Sequence, residues 1–105
     1  MIVVTTETIP QHEIAEALGI VSGSMVQSKH LGRDIMAGLK SIFGGEIMGY
    51  TEMLEEARAQ ARARLEEAAR DLGGDGVVCM RYSTSTVSQG MSEILAYGTV
   101  VKFKR

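Results

Sequence analysis

With 105 residues and 11.3 kDa the chain has room for one domain, residues 1–105, built on a single thin core. Trp is absent and aromatic residues make up 5%, so that core must come from Val, Ile, Leu, Ala and Met rather than from large aromatic anchors. A net charge of −2, with Lys and Arg interleaved among acids, excludes the concentrated basic surface that nucleic-acid binding needs.

The lone cysteine, Cys79, leaves no intramolecular disulfide and suits a reducing compartment. The start, Met-Ile-Val-Val-Thr-Thr-Glu, has no basic n-region and predicts no signal peptide. No apolar stretch approaches the ~20 residues of a membrane helix. The expectation is a cytoplasmic protein with neither nucleic acid nor membrane as partner.

Along the chain, Ile2 to Thr5 is a short β-branched run and predicts a first strand. Pro10 suits the first turn of a helix. Ile14, Ala17 and Leu18 give that helix an apolar side, and Gly19 caps it. Ile20 to Lys29 predicts an extended strand in which Gly23 marks a bulge or a close backbone approach. Leu31 to Phe43 returns to helical spacing and stops at Gly44-Gly45. The strongest element follows. Tyr50, Leu54, Ala57, Ala61, Leu65, Ala68 and Leu72 recur three or four residues apart and fall on one helical stripe. Thr51 is the expected N-cap and Gly73 the expected C′ residue. Arg62, Glu66 and Arg70 follow at i, i+4 on the wet side.

Beyond Gly73-Gly74-Asp75-Gly76, residues 77–82 predict a strand and Ile94 to Phe103 a second, paired as an antiparallel hairpin. Ser83 to Ser92 is polar and hydroxyl-rich and is expected to be a flexible connection. In the last strand Leu95, Tyr97, Val101 and Phe103 alternate with Ile94, Ala96, Gly98 and Val100, so neither side is polar. One long helix covers one face of a small sheet. The other apolar face needs a cover as well, and the short, glycine-weakened helices make poor lids. A neighbouring copy of the chain is the expected cover.

Leu18-Gly19-Ile20-Val21, Gly32-Arg33-Asp34-Ile35, Phe43-Gly44-Gly45-Glu46, Tyr50-Thr51, Ala57-Arg58, Arg64-Leu65, Leu72-Gly73-Gly74-Asp75 and Tyr97-Gly98-Thr99 form an ordered series. With them the chain resembles, over essentially its whole length, the YbjQ-like family of small prokaryotic proteins described as putative heavy-metal-binding. The resemblance implies an α+β, dodecin-subunit-like fold. Its β-α-β-β core packs an antiparallel sheet on one long helix, with an extra short N-terminal strand and helices. It also implies a homopentamer.

A soft metal wants thiolate, thioether or imidazole groups converging at short range. Cys79 is the only thiol and reads first as a small strand residue in the core, at a position where the resembling family more often has glycine. His12 and His30 show no ligand spacing; His12 reads as surface and His30 as a junction residue. The seven methionines are spread along the chain as gap fillers. Within the family-like motifs, Arg33, Asp34, Glu46, Tyr50 and Arg58 are expected to form a polar network at a subunit boundary. Asp34, Glu46, His30 and Cys79 are the candidate ligands for a divalent or soft metal ion. No Ser, His and Asp pattern offers a nucleophile with its base, so no catalysis is expected. The functional expectation is an oligomeric, pentameric binding module for heavy metal. The alternatives are a small-molecule storage or sensing ring with pockets between subunits, and a purely structural assembly.

Overall fold

The computed structural model describes residues 1–28 and 48–105. Its elements are β1 (Ile2–Val3), β2 (Ile14–Ser28), α1 (Met48–Asp71), β3 (Gly76–Ser88) and β4 (Met91–Phe103). They form a mixed α+β fold in which one four-stranded sheet, ordered β1-β3-β4-β2, packs on one helix. β4 is antiparallel to both β2 and β3, while the short β1 lies parallel to β3. β2, α1, β3 and β4 are the expected β-α-β-β core. The predicted helix over 31–43 and its Gly44-Gly45 stop lie outside the described residues.

Residues 10–19 are not a helix. Pro10 and Gln11 instead form a tight turn, in which the His12 N–H donates to the Ile9 carbonyl at 3.2 Å and Gln11 has φ 71°. Proline followed by a residue of positive φ is the pattern of a type II turn. β2 then starts at Ile14, and its first part carries two register shifts against β4, at Ile14/Glu16 and Ala17/Gly19. These extra residues put Leu18 with the helix-side core and Ile14 with the cluster on the other face. The spacing that imitates a helical stripe is thus a bulged strand serving two faces.

The long helix is present, and its stripe is displaced slightly from the predicted one. Ala57, Ala61, Leu65 and Ala69 are wholly buried, Leu54 and Ala68 flank them, and Leu72 is half exposed. Thr51 lies inside α1 rather than at its cap. The C-terminal end is as expected. Gly73, at φ 78°, donates to the Arg70 carbonyl at 2.8 Å, and Gly74 donates to the Ala69 carbonyl at 3.0 Å. These two bonds satisfy carbonyls that the last turn would otherwise leave open.

Opposite α1, the sheet contributes Val21, Met25, Val77, Met80, Ile94, Ala96 and Val100. The small Ala residues let the helix lie close to β2, and Gly23 is where the two backbones meet. A Cβ built there would sit 2.3 Å from the Ala61 carbonyl oxygen and 2.4 Å from the Leu65 nitrogen. The Gln27 side chain donates to the Met53 carbonyl at 3.1 Å, and the Arg64 guanidinium donates to the Ser24 carbonyl.

Ser83 to Ser92 is not a flexible connection either. β3 continues to Ser88, a two-residue turn at Gln89-Gly90 follows, and β4 begins at Met91. Residues 81–88 are exposed on both faces of the strand, so no apolar alternation marks them.

Candidate functional site: an open sheet face beside a strained bulge

Away from α1 the sheet face divides in two. On the proximal half, the chain between β1 and β2 lies over β3 and β4 and buries Ile9 against Val78 and Val101, with Ile2, Val4, Ile14, Cys79 and Phe103 around them. The His12 ring stacks on Phe103 with centroids 4.3 Å apart. Three polar ties hold this corner together. The Lys104 N–H donates to the Glu13 carbonyl at 2.7 Å, Phe103 N–H donates to Asp75 Oδ2 at 2.9 Å, and Arg105 Nη2 donates to Asp75 Oδ1 at 2.9 Å. The Phe103 amide, followed by the positive charges of Arg105 and Lys102, holds the Asp75 carboxyl below its ordinary pKa against the opposing effect of burial. The N-terminal segment, not a second copy, therefore covers this half of the face.

The distal half has no cover among the described residues. Register places Ile20 beside Thr99, Ser22 beside Tyr97 and Arg81, Ser24 beside Leu95 and Ser83, and Val26 beside Glu93 and Ser85. Ile20 is 81% exposed, Val26 48% and Tyr97 38%. The face is therefore a mixed surface, with apolar Ile20, Val26, Leu95 and Tyr97 set among hydroxyls, Arg81 and Glu93.

A bulge in β3 separates the halves. Val78 pairs with Thr99 and Arg81 with Tyr97, so Cys79 and Met80 together oppose Gly98. Cys79 has φ 54°, in the left-handed region that costs an ordinary L-residue energy. Both bulge amides leave the β4 ladder and donate to the N-terminal segment, Cys79 to the Thr6 carbonyl and Met80 to the Val4 carbonyl, each at 3.0 Å. The extra residue turns Met80 into the helix-side core and Cys79 to the other face. A Cβ on Gly98 would meet Val77 Cγ1 at 2.5 Å and the Val78 carbonyl at 3.1 Å, so the residue opposite the bulge has to stay small.

Of the expected ligands, His30, Asp34 and Glu46 lie outside the described residues, as does Arg33 of the expected network. Tyr50 falls in α1 with its side chain outside the described set, and Arg58 is exposed on the same helix. Cys79 is half buried, and its Sγ lies 3.8 Å from the Thr6 carbonyl. Among the described residues no three His, Cys, Asp or Glu side chains converge, so the surroundings of Cys79 there do not fit a soft metal. His12 is a surface residue, as expected, with its ring against Phe103. The positive φ at Cys79 was not legible from its neighbours, which read as an ordinary strand. Nothing in the spacing signalled Asp75 as the residue that ties down the C-terminal end.

No helix among the described residues is long and apolar enough to cross a membrane. A family model described as "Putative heavy-metal-binding" matches residues 1–104. A UPF0145 protein from Vibrio campbellii is 63% identical over 102 residues, covering 97% of this chain and 98% of its own. One from Thermotoga maritima is 55% identical over 105 residues, covering 100% and 99%. A crystal structure of a protein of unknown function in the DUF74 family, from Pediococcus pentosaceus, superposes with TM-score 0.68 at 18% identity. It covers 99% of this chain and 98% of that one, and it supports the fold alone. No reaction is attached to any of these relatives. On the family match and the full-length relatives, the chain belongs to the YbjQ-like, UPF0145 family.

Proposed function

We propose that the protein is a non-catalytic cytoplasmic module that works as a homo-oligomer, a pentamer, with its ligand sites formed where copies meet. The observation that carries this is the distal sheet face. Ile20, Val26, Leu95 and Tyr97 share one side of a sheet whose other side is covered by α1, and apolar surface of this kind marks association sites on small proteins. The elongation of the chain supports it. The Cα radius of gyration is 16.9 Å, against ~13 Å for a compact domain of about this length. The principal extents are 54 × 28 × 17 Å. Light scattering at micromolar concentration tests the proposal: a mass near five times 11.3 kDa is expected, and a particle of single-chain mass overturns it.

The description of the family supports heavy metal as the ligand. Within this chain the proposed donors for it are His30, Asp34, Glu46 and Cys79. Titration with zinc, copper(I) and cadmium should then saturate at a fixed ratio of metal to chain and fall on replacing one of these residues. Absence of saturable uptake removes metal as the ligand. A second reading has its own observation, the row Ser22, Tyr97 and Arg81 flanked by Leu95 and Ile20, which offers an aromatic surface and polar groups to a small organic molecule. Native mass spectrometry of freshly purified protein separates the two, by added mass of metal size or of organic size.

A further inference from the structure

Beyond residue 80, β3 loses its outer neighbour. The Val4 and Thr6 carbonyls accept from Met80 and Cys79, and Arg81 Nη1 reaches the Thr5 carbonyl at 2.8 Å. From Tyr82 to Ser88 no described backbone pairs with the outer side of the strand. β2 lies at the other end of the sheet, and its outer side has no described strand partner along its whole length. Such edges present rows of N–H and C=O groups that bond either to water or to another strand.

The two open runs match. β2 is regular from Ile20 to Ser28, past its register shifts, and β3 is regular from Arg81 to Thr86, between its own. They stand level across β4: Ser22 and Arg81 both pair with Tyr97, Ser24 and Ser83 with Leu95, and Gln27 and Thr86 with Ser92. Neither 20–28 nor 82–88 contains a charged residue or a proline, the devices with which edges are normally guarded.

We infer that the distal edge of β3 in one copy pairs with the distal edge of β2 in the next, so that the sheet continues across the boundary. This rests on the self-association proposed above and names its joint. β2 and β3 both run antiparallel to β4 and hence parallel to each other. Copies related by rotation about an axis along the strands therefore meet in a parallel ladder, and the level match brings the two runs together without sliding. A single joint of this kind satisfies both open edges of every copy. A two-fold contact of β2 with β2 would leave β3 open. Head-to-tail contacts close into rings when the rotation allows. In such a ring the helices stay on one side, while Ile20, Val26, Leu95 and Tyr97 of every copy face the other. Arg64 already donates to the Ser24 carbonyl within this run, and a carbonyl can accept a second bond.

Backbone amide exchange on the full chain, read residue by residue by NMR with light scattering on the same sample, tests the joint. In a free edge strand only alternate amides are protected, whereas in a paired one consecutive amides are. The expected result is an oligomer in which consecutive amides across 22–27 and 82–86 exchange at least ~100-fold slower than unprotected ones. An oligomer in which either run shows only the alternating pattern overturns the joint and leaves self-association standing. A particle of single-chain mass overturns both.

Discussion

Cys79 illustrates how one backbone angle changes what a residue is for. At φ 54° it occupies a conformation in which a Cβ costs ~1–2 kcal/mol, and its half-buried thiol lies near the Thr6 carbonyl beside the Ile9 cluster. Cys79→Gly removes that strain, and the extra freedom of glycine in the unfolded chain takes back ~0.5–1 kcal/mol of the gain. Urea denaturation should therefore show the variant equal to the parent or up to ~1 kcal/mol more stable. Cys79→Val puts a β-branched side chain at the same φ and should cost about 2 kcal/mol. If the glycine variant were strongly destabilised, the thiol would have a structural partner beyond the described residues. Asp75 makes a pH-dependent contribution instead. Its carboxylate accepts from the Phe103 amide and from Arg105, and its folded pKa is lowered, so its stabilising effect is present above the unfolded aspartate value of about 3.9. The effect is lost as pH falls through the lowered folded value. Asp75→Asn should be less stable than the parent at neutral pH, and the difference should close under strongly acidic conditions. A difference that persists unchanged to low pH would mean that the charge of Asp75 is not what matters.

Among the elements, the contact of α1 with β2 carries the most specific prediction. Gly23 touches helix backbone rather than side chain, so no rotamer change can make room for a methyl group. Gly23→Ala should push the helix off the strand and cost ~3 kcal/mol or more in chemical denaturation, despite alanine's small size. On the helix itself, Leu65→Ala should cost about 2–5 kcal/mol, because Leu65 is wholly buried. Leu72→Ala should fall within about 0.5 kcal/mol, because that side chain is 49% exposed. The contrast also marks how far the sequence could be read. The helix, its glycine stop and the two apolar faces of β4 follow from periodicity and residue type alone, and the close approach at Gly23 is one of the two readings that residue type allows. The first half of β2 imitates a helix in sequence because two bulges spread Ile14, Ala17 and Leu18 over both faces at a spacing that resembles a helical turn. Residues 83–88 of β3 carry no strand signal because a strand wet on both sides has no alternation to show. The candidate ligands were legible only as isolated polar residues. Periodicity reports burial, and it does not report which polar groups meet.

At the scale of the whole molecule, the distal face decides between a chain that stands alone and one that is a part of something larger. Its apolar residues are distributed over two strands, Ile20 and Val26 on β2 with Leu95 and Tyr97 on β4, so the patch belongs to the sheet and not to one side chain. If copies bury this face against one another, a charge placed in it must be desolvated without a partner, which costs far more than the contact it replaces. Ile20→Glu and Tyr97→Glu should each move the mass measured by light scattering toward 11.3 kDa. The fold of the single chain should meanwhile survive, because both side chains point away from the Val21, Leu65 and Val100 core. Circular dichroism checks that half of the expectation, since retained helix and sheet signals separate dissociation from unfolding. If both variants keep the parent's mass, the open face is not where copies meet, and burial of this surface no longer explains why so elongated a chain exposes it.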